Sequence, residues 1–342
     1  MKKLPLLVAL LVSFGCATHQ GMQPHYHVAR HIPIGGEGGW DALTIDSASQ
    51  RLFVSHADRV NVVDLVKGTV VGTILKTEGV HAIDIAPALR RGFITAGRTS
   101  TVTVFDLDSL ATIGEIKTTG DRPDAIIFDP GTSRVFTFNA AGKNSTVIDA
   151  KTATVVGTIE LGGKPEFAVS DGKGRVFVNI EDTSELVAID PAAMTVVKRW
   201  SLAPCTEPSG LAIDRAHRRL FSGCDNRVMA ISDADSGSVI TTVPIGDGVD
   251  GGGFDPASGD AFASNGADGT LTVVHETGPM KFDVIGNVPT QRGARTMAVD
   301  ERTHHIYLPT AQFGPPPAPT AERPKPRPSI LAGTFEILDV AP

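Results

Sequence analysis

The stretch Asp124-Ala-Ile-Ile-Phe-Asp129 is one of seven copies of a short apolar segment that opens on a polar residue. Most copies close on aspartate, and they occupy residues 41–46, 81–86, 124–129, 166–171, 209–214, 250–255 and 295–300. Their first residues lie 40, 43, 42, 43, 41 and 45 positions apart. This period is the length of one four-stranded propeller blade, so the repeat predicts an all-β, seven-bladed β-propeller.

Each copy continues with three further segments typical of strands. A second strand follows a short turn, as in Arg51-Leu-Phe-Val-Ser-His56 and Arg134-Val-Phe-Thr-Phe-Asn139. A Val-rich third strand tends to end in aspartate, and the fourth carries a glycine, as in Thr69-Val-Val-Gly-Thr-Ile74. β-Branched residues dominate these segments, which favours strands over helices.

The two ends of the chain are expected to share the last blade. After Arg295 the sequence provides only three strands, at about 297–299, 306–308 and 334–339. Residues 28–34 resemble the missing fourth strand. We therefore predict that the N-terminal strand closes blade seven, a join that hides sheet edges.

Four second strands carry degraded forms of an aromatic-Val-Thr-Asn motif, at residues 53–56, 136–139, 262–265 and 307–310. With them, the chain from about Val28 onward resembles the YVTN-type β-propeller repeat family, which includes YncE-like exported proteins. The resemblance implies the architecture and export. It implies no particular reaction, since the motif is structural.

The N-terminus carries the pattern of an export signal. A basic Met1-Lys2-Lys3 precedes a short apolar run, and Gly15-Cys16 resembles the end of a lipobox. We predict a leader over 1–16 with lipidation at Cys16, a flexible segment over 17–27 and a propeller over 28–342; cleavage after Ala17 is the alternative. The expected location is the periplasm or cell envelope of a bacterium, with membrane attachment only through the lipid.

The cysteines and the net charge restrict the function further. Cys205 and Cys224 remain after processing and are predicted to form a disulfide in an oxidising compartment. A formal charge of -7 without a basic stretch argues against nucleic-acid binding. Since no apolar stripe marks a subunit interface, we expect a monomer.

Two sets of residues are predicted to meet at one mouth of the central channel, where the innermost strands begin and the loops after the second strands return. The first set comprises the opening residues of the copies: Asp41, His81, Asp124, Glu166, Ser209, Asp250 and Arg295. The second set ends strand two and comprises His56, Ala96, Asn139, Ile180, Cys224, Asn265 and Thr310, with Glu181 just beyond. The predicted ligand-binding residues are Asp41, His56, Asn139, Glu181, Asp250 and Asn265.

Four carboxylates in the first set suggest a cation site, because crowded carboxylates raise one another's pKa or demand a cation. We predict Asp124, Glu166 and Asp250 as metal ligands, with Ca²⁺ as the first choice. Participation of His56 and His81 would shift the preference to Zn²⁺, Mn²⁺ or Fe²⁺. A purely structural ring, paired through Arg295, Arg122 or Lys164, is the competing interpretation.

Three functions follow from this ring. The first is binding of a small, anionic ligand in the funnel, with or without a metal ion. The second is a metal-assisted hydrolase or lyase, resembling lactonases in architecture, with His81 as general base, Glu166 as a catalytic carboxylate and Arg295 holding an anionic group. The third is a scaffold of the cell envelope that presents the proline-rich segment 314–328, an insertion in blade seven, to a protein partner.

Overall fold

The strands form seven four-stranded antiparallel sheets, in a computed structural model that describes residues 26–320, 326 and 328–342. Blade one contains β2 (Trp40–Asp46), β3 (Arg51–His56), β4 (Arg59–Asp64) and β5 (Thr69–Leu75). Blade two contains β6 (Val80–Ala86), β7 (Arg91–Ala96), β8 (Thr101–Asp106) and β9 (Thr112–Lys117), with a 3₁₀ turn at Pro87–Leu89. Blade three contains β10 (Pro123–Asp129), β11 (Arg134–Asn139), β12 (Asn144–Asp149) and β13 (Thr154–Glu160).

The remaining blades repeat this order. Blade four contains β14 (Pro165–Ser170), β15 (Val176–Ile180), β16 (Glu185–Asp190) and β17 (Thr195–Ser201). Blade five contains β18 (Pro208–Asp214), β19 (Arg219–Cys224), β20 (Val228–Asp233) and β21 (Val239–Pro244). Blade six contains β22 (Val249–Asp255), β23 (Asp260–Asn265), β24 (Thr270–Gly278) and β25 (Lys281–Pro289), and blade seven contains β26 (Ala298–Asp300), β27 (His305–Thr310), β28 (Glu336–Ala341) and β1 (His27–Pro33).

The innermost strands of successive blades contact one another around the ring, from β2 to β6 and onward until β26 meets β2 again. The predicted seven-bladed propeller is therefore confirmed. Most of its core lies between blades, where the faces of adjacent sheets pack alternating apolar side chains together. Within the described residues, no helix has the length and apolar character needed to cross a bilayer.

The ring closes through blade seven, as predicted, because β1 pairs with β28 along its whole length. The domain starts slightly earlier than the sequence suggests. His27 already pairs with Ala341, and buried Tyr26 packs edge-on against Phe262 while its hydroxyl donates to Asp260 at 2.9 Å. Residues 26 and 27, which the prediction assigned to the leader, thus contact the propeller. The leader, Cys16 and residues 17–25 lie outside the described residues.

The aspartate that closes six of the seven repeat copies has a structural role. Asp129 accepts the backbone N–H of Thr132 at 2.8 Å, and Asp214 accepts that of Ala216 at 2.9 Å. Asp129 also accepts the Ser170 hydroxyl of the next blade at 2.5 Å. These carboxylates satisfy turn donors and join blades, which explains why aspartate recurs at this position of the repeat.

The predicted disulfide is present. Cys205, just before β18, and Cys224, at the end of β19, are bonded with their Cα atoms 5.6 Å apart. Both residues are buried beside Leu202 and Leu211. The crosslink therefore fixes the loop that enters blade five to the second strand of the same blade.

Candidate functional site

The seven opening residues of the repeat all line one cavity of about 760 Å³ at the mouth of the channel: Asp41, His81, Asp124, Glu166, Ser209, Asp250 and Arg295. In the first six blades the ladder between the first two strands is irregular at this point, as between Trp40 and Leu43 in blade one. Such an irregularity re-aims the side chains at a strand end. The repeat therefore delivers one polar side chain per blade to the funnel.

Three of these side chains form a tight group. The Nδ1 atom of His81 lies 2.7 Å from Oδ2 of Asp41 and 3.3 Å from Oδ1 of Asp124. One ligand atom from each residue lies within 4.8 Å of the other two, so the half-buried group could hold a metal ion. We refer to Asp41, His81 and Asp124 as the triad.

Burial and neighbouring charges shift the pKa values of Asp124 and His81 in the triad. Burial raises the pKa of Asp124 to about 6, assisted by the charges of Asp41 and Asp250, although His81 acts in the opposite direction. Burial alone would lower the pKa of His81, but the hydrogen bond to Asp41 and the charge of Asp124 raise it overall. The two neighbouring carboxylates therefore favour the charged form of His81.

The predicted metal ligands are not the residues that the structure brings together. Only Asp124 belongs to the triad. Glu166 instead accepts the Nζ of Lys164 at 2.8 Å, and Asp250 accepts Nε of Arg295 at 2.7 Å and the Ser209 hydroxyl at 2.8 Å. The group that could hold a metal ion, Asp41, His81 and Asp124, thus shares only Asp124 with the predicted set of Asp124, Glu166 and Asp250.

Glu166 is an unusual carboxylate. Lys164 pairs with both Glu166 and Glu181, and Glu181 lines the cavity as predicted. Burial raises the pKa of Glu166 to about 8, with the charges of Asp124 and Asp250 adding to the effect and Lys164 opposing it. At neutral pH this side chain therefore holds a proton.

Arg295, predicted to hold an anionic group, already has partners. Its guanidinium donates to Asp250, lies 3.5 Å from Asp41, and donates to the carbonyl oxygen of Trp40 at 2.9 Å. The positive charge is compensated by two carboxylates of the ring. Arg295 thus ties blade seven to blades one and six across the funnel mouth.

Three predicted ligand-binding residues of the second set, His56, Asn139 and Asn265, are buried inside their blades and do not line the cavity. The ring of His56 packs 4.4 Å from that of Phe335 and its Nδ1 lies 2.9 Å from Asn61, while burial lowers its pKa. Asn139 and Asn265 donate to neighbouring strand side chains. These three side chains therefore contact their own blades and not the cavity, whereas the prediction placed them at the funnel mouth.

The funnel wall includes residues that the sequence analysis did not assign to a ligand. Arg122, Lys164 and Glu207 line the cavity, and each lies two positions before the opening residue of its copy. The aligned position in blades one, six and seven is glycine, at 39, 248 and 293. An alignment of the repeat copies therefore contained a signal for these wall residues, at the position two residues before each opening residue. No periodic pattern marks the apolar wall formed by Trp40, Phe313, Pro328 and Ile330.

The part of the cavity wall that the structure describes carries excess negative charge. Its carboxylates are Asp41, Asp124, Glu166, Glu181, Glu207, Asp225 and Asp250, and its basic side chains are Arg122, Lys164, Arg292 and Arg295. Seven acids against four bases leave a formal excess of three negative charges when His81 is neutral. That excess favours protonation of some carboxylates or binding of a cation.

The proline-rich segment 314–328 adjoins the cavity. It lies between β27 and β28, and its two ends meet at an isolated bridge between Phe313 and Ile330. Phe313, Pro328 and Ile330 all contribute to the cavity wall. Residues 321–325 and 327 of this segment lie outside the described residues.

Comparisons with known proteins support the propeller fold but identify no family. No family model and no curated protein matches the chain, so the YVTN resemblance stays a prediction. A chain of hydrazine synthase from Kuenenia stuttgartiensis matches with a TM-score of 0.69 at 16% identity, over 82% of this chain and 94% of that one. A chain of a mitotic checkpoint complex matches with a TM-score of 0.72 at 12% identity, over 90% of this chain and 95% of that one. At these identities the likeness shows the propeller fold alone.

Proposed function

We propose that this protein is a propeller that binds a divalent cation at the triad and, beside it in the funnel, a small organic ligand. The observation that carries the proposal is the convergence of Asp41, His81 and Asp124, with ligand atoms within 4.8 Å of one another, in a cavity with excess negative charge. The cavity volume of about 760 Å³ suits a small molecule.

The triad chemistry favours a transition metal over calcium. One imidazole nitrogen with two carboxylates suits Zn²⁺, Mn²⁺ or Fe²⁺, whereas Ca²⁺ prefers six or more oxygen ligands. Because the hydrogen bond to Asp41 and the charge of Asp124 raise the pKa of His81, protons compete with a metal ion for this side chain. Binding should therefore strengthen as the pH rises.

The test is calorimetric titration of metal-free mature protein with Mn²⁺, Zn²⁺ and Ca²⁺ at pH 6 and pH 8. We expect one equivalent of Mn²⁺ or Zn²⁺ to bind, more tightly at pH 8, and Asp124→Asn to weaken it by at least about tenfold. Glu207→Gln is the matched control, because it removes one carboxylate from the same cavity outside the triad. Absence of stoichiometric binding by the wild type, or equal weakening by both variants, would reject the site.

A metal-assisted hydrolase or lyase is the second candidate, and Glu166 is the observation that favours it. A carboxyl group with a pKa of about 8 beside the triad has the protonation state of a general acid at neutral pH. Because the pKa of His81 is raised, this side chain must lose a proton before it can serve either as a metal ligand or as a general base. The test is a screen of lactones and esters with metal-loaded protein, in which turnover must fall in Glu166→Gln without loss of metal.

We also propose that the protein is exported and anchored through Cys16, as a member of the YVTN-type family. The buried Cys205–Cys224 disulfide supports an oxidising compartment. Fractionation of cells expressing the full chain tests the anchor. Cys16→Ser should move the protein from the membrane fraction to the soluble fraction, and an unchanged distribution would contradict lipidation at this residue.

A further inference from the structure

The cavity holds two arginines whose guanidinium groups are not hydrogen bonded or ion paired to any residue that the structure describes. These are Arg122 and Arg292, and both are exposed at the cavity wall. The other two basic side chains, Lys164 and Arg295, each contact two acidic side chains. Among the described residues that line the cavity, Arg122 and Arg292 are therefore the basic side chains left to pair with an anion.

The two arginines differ in their surroundings. Arg122 lies close enough to Asp124 for its charge to lower the pKa of that carboxyl group, so its field is already directed at the triad. Arg292 also lines the cavity. It directly precedes Gly293, which lies in the apolar part of the wall.

An aromatic pair, Trp40 and Phe313, packs against Gly293, the residue that follows Arg292. Gly293 has φ +93° and packs so closely that a Cβ there would lie 2.7 Å from Cε2 of Phe313 and 3.3 Å from Cζ2 of Trp40. The rings of Trp40 and Phe313 are 6.1 Å apart, and Trp40 stacks on buried Phe335 at 5.3 Å. Pro328 and Ile330 continue this apolar surface.

We propose that this sector, formed by Arg292, Phe313, Trp40 and Ile330, binds an organic acid with an apolar or aromatic body. The carboxylate would pair with the Arg292 guanidinium, which matches carboxylate geometry in a bidentate way, while the body lies against Phe313 and Ile330. A carboxylate placed deeper would meet the ring of acids, so the charge distribution fixes the orientation. The inference rests on the proposed function for the use of this cavity, and it names the ligand class.

The test uses the two tryptophans of the chain. Trp200 lies in β17, where it packs over Gly237 and does not line the cavity, so Trp200→Phe leaves Trp40 as the only tryptophan. Phenylacetate, benzylamine and acetate are titrated into this variant, with binding followed by Trp40 fluorescence and confirmed by calorimetry. We expect saturable binding of phenylacetate, with acetate and benzylamine at least about tenfold weaker.

Variants separate the two parts of the sector. Arg292→Gln and Phe313→Ala should each weaken phenylacetate binding by about ten- to a hundredfold. Arg302→Gln is the matched control, since Arg302 follows β26 at the opposite end of the blade and does not line this cavity. It should leave binding unchanged. Circular dichroism confirms that each variant is folded before it is compared.

The outcomes distinguish this inference from the cation site. No saturable phenylacetate binding at millimolar concentration, equal binding of benzylamine, or equal effects of Arg292→Gln and Arg302→Gln would each overturn the organic-acid sector. Retained Mn²⁺ or Zn²⁺ binding in that case leaves the triad standing. Phenylacetate binding by a protein that takes up no metal supports the sector and rejects the triad as a metal site.

Discussion

Replacing Glu166 by glutamine should remove a large pH-dependent loss of stability. The side chain is only 13% exposed, and burial with two neighbouring carboxylates raises its pKa from 4.5 to about 8. The folded protein therefore holds this proton more tightly than the unfolded chain. It follows that the free energy of unfolding falls as the pH rises through this interval.

The size of the effect follows from the two pKa values. At about 1.4 kcal/mol per pH unit, the interval from 4.5 to about 8 corresponds to a loss of about 5 kcal/mol, of which about 3 kcal/mol falls between pH 6 and pH 9. Glu166→Gln cannot titrate, so its stability relative to the wild type should improve by about 3 kcal/mol over that range. For a propeller of this length the change corresponds to roughly 4 °C in Tm.

The assay is thermal unfolding of wild type and variants from pH 6 to pH 9 in the presence of a chelator. Glu181→Gln is the control, because it removes the other carboxylate partner of Lys164 and keeps Glu166. Its difference from the wild type should not follow the same pH trend. A stability difference between Glu166→Gln and wild type that is constant with pH would refute the assignment of the raised pKa to Glu166.

Three further predictions concern the fold. Replacing Cys205 and Cys224 together by alanine should lower the free energy of unfolding by about 3 kcal/mol in urea, since the bond closes a sequence separation of 19; equal stability of the variant and the oxidised wild type would contradict this. Tyr26→Phe removes a hydrogen bond to a buried carboxylate and should cost about 1 kcal/mol in the same assay, and no loss would mean that the tyrosine hydroxyl does not help to close the ring. Gly210→Ala places a Cβ 2.6 Å from a backbone carbon of the next blade and should cost about 1–3 kcal/mol, whereas Gly114→Ala, with nothing within 4 Å, should not destabilise; equal losses would refute the close approach.

The strands were predictable because their signal is local. The second strands at Arg51–His56 and Arg134–Asn139 have the bounds that the repeat assigns to them. Alternation of apolar residues, turn aspartates and a fixed period act over a few residues each, and they agree with one another in every copy. The closing strand was found because blade seven lacked one member of the same pattern.

The direction of a side chain at a strand end is less accessible from sequence. His56, Asn139 and Asn265 end their strands on the funnel face, yet each side chain turns into the blade and bonds there. Successive side chains of a strand point to opposite faces, so a position on the correct edge does not fix what the side chain meets.

The ring of opening residues was determined by the sequence alone, because equivalent repeat positions must occupy equivalent places around one axis. The choice of partners within that ring was decided only by the tertiary structure. Asp41 is hydrogen bonded to His81, 40 residues away in the sequence, and Arg295 to Asp250, 45 residues away. Glu166 pairs with Lys164 and not with the triad. These pairings depend on ångström-scale distances between side chains of adjacent blades, because side-chain length and competition among charges decide which groups pair. A repeat alignment does not contain those distances.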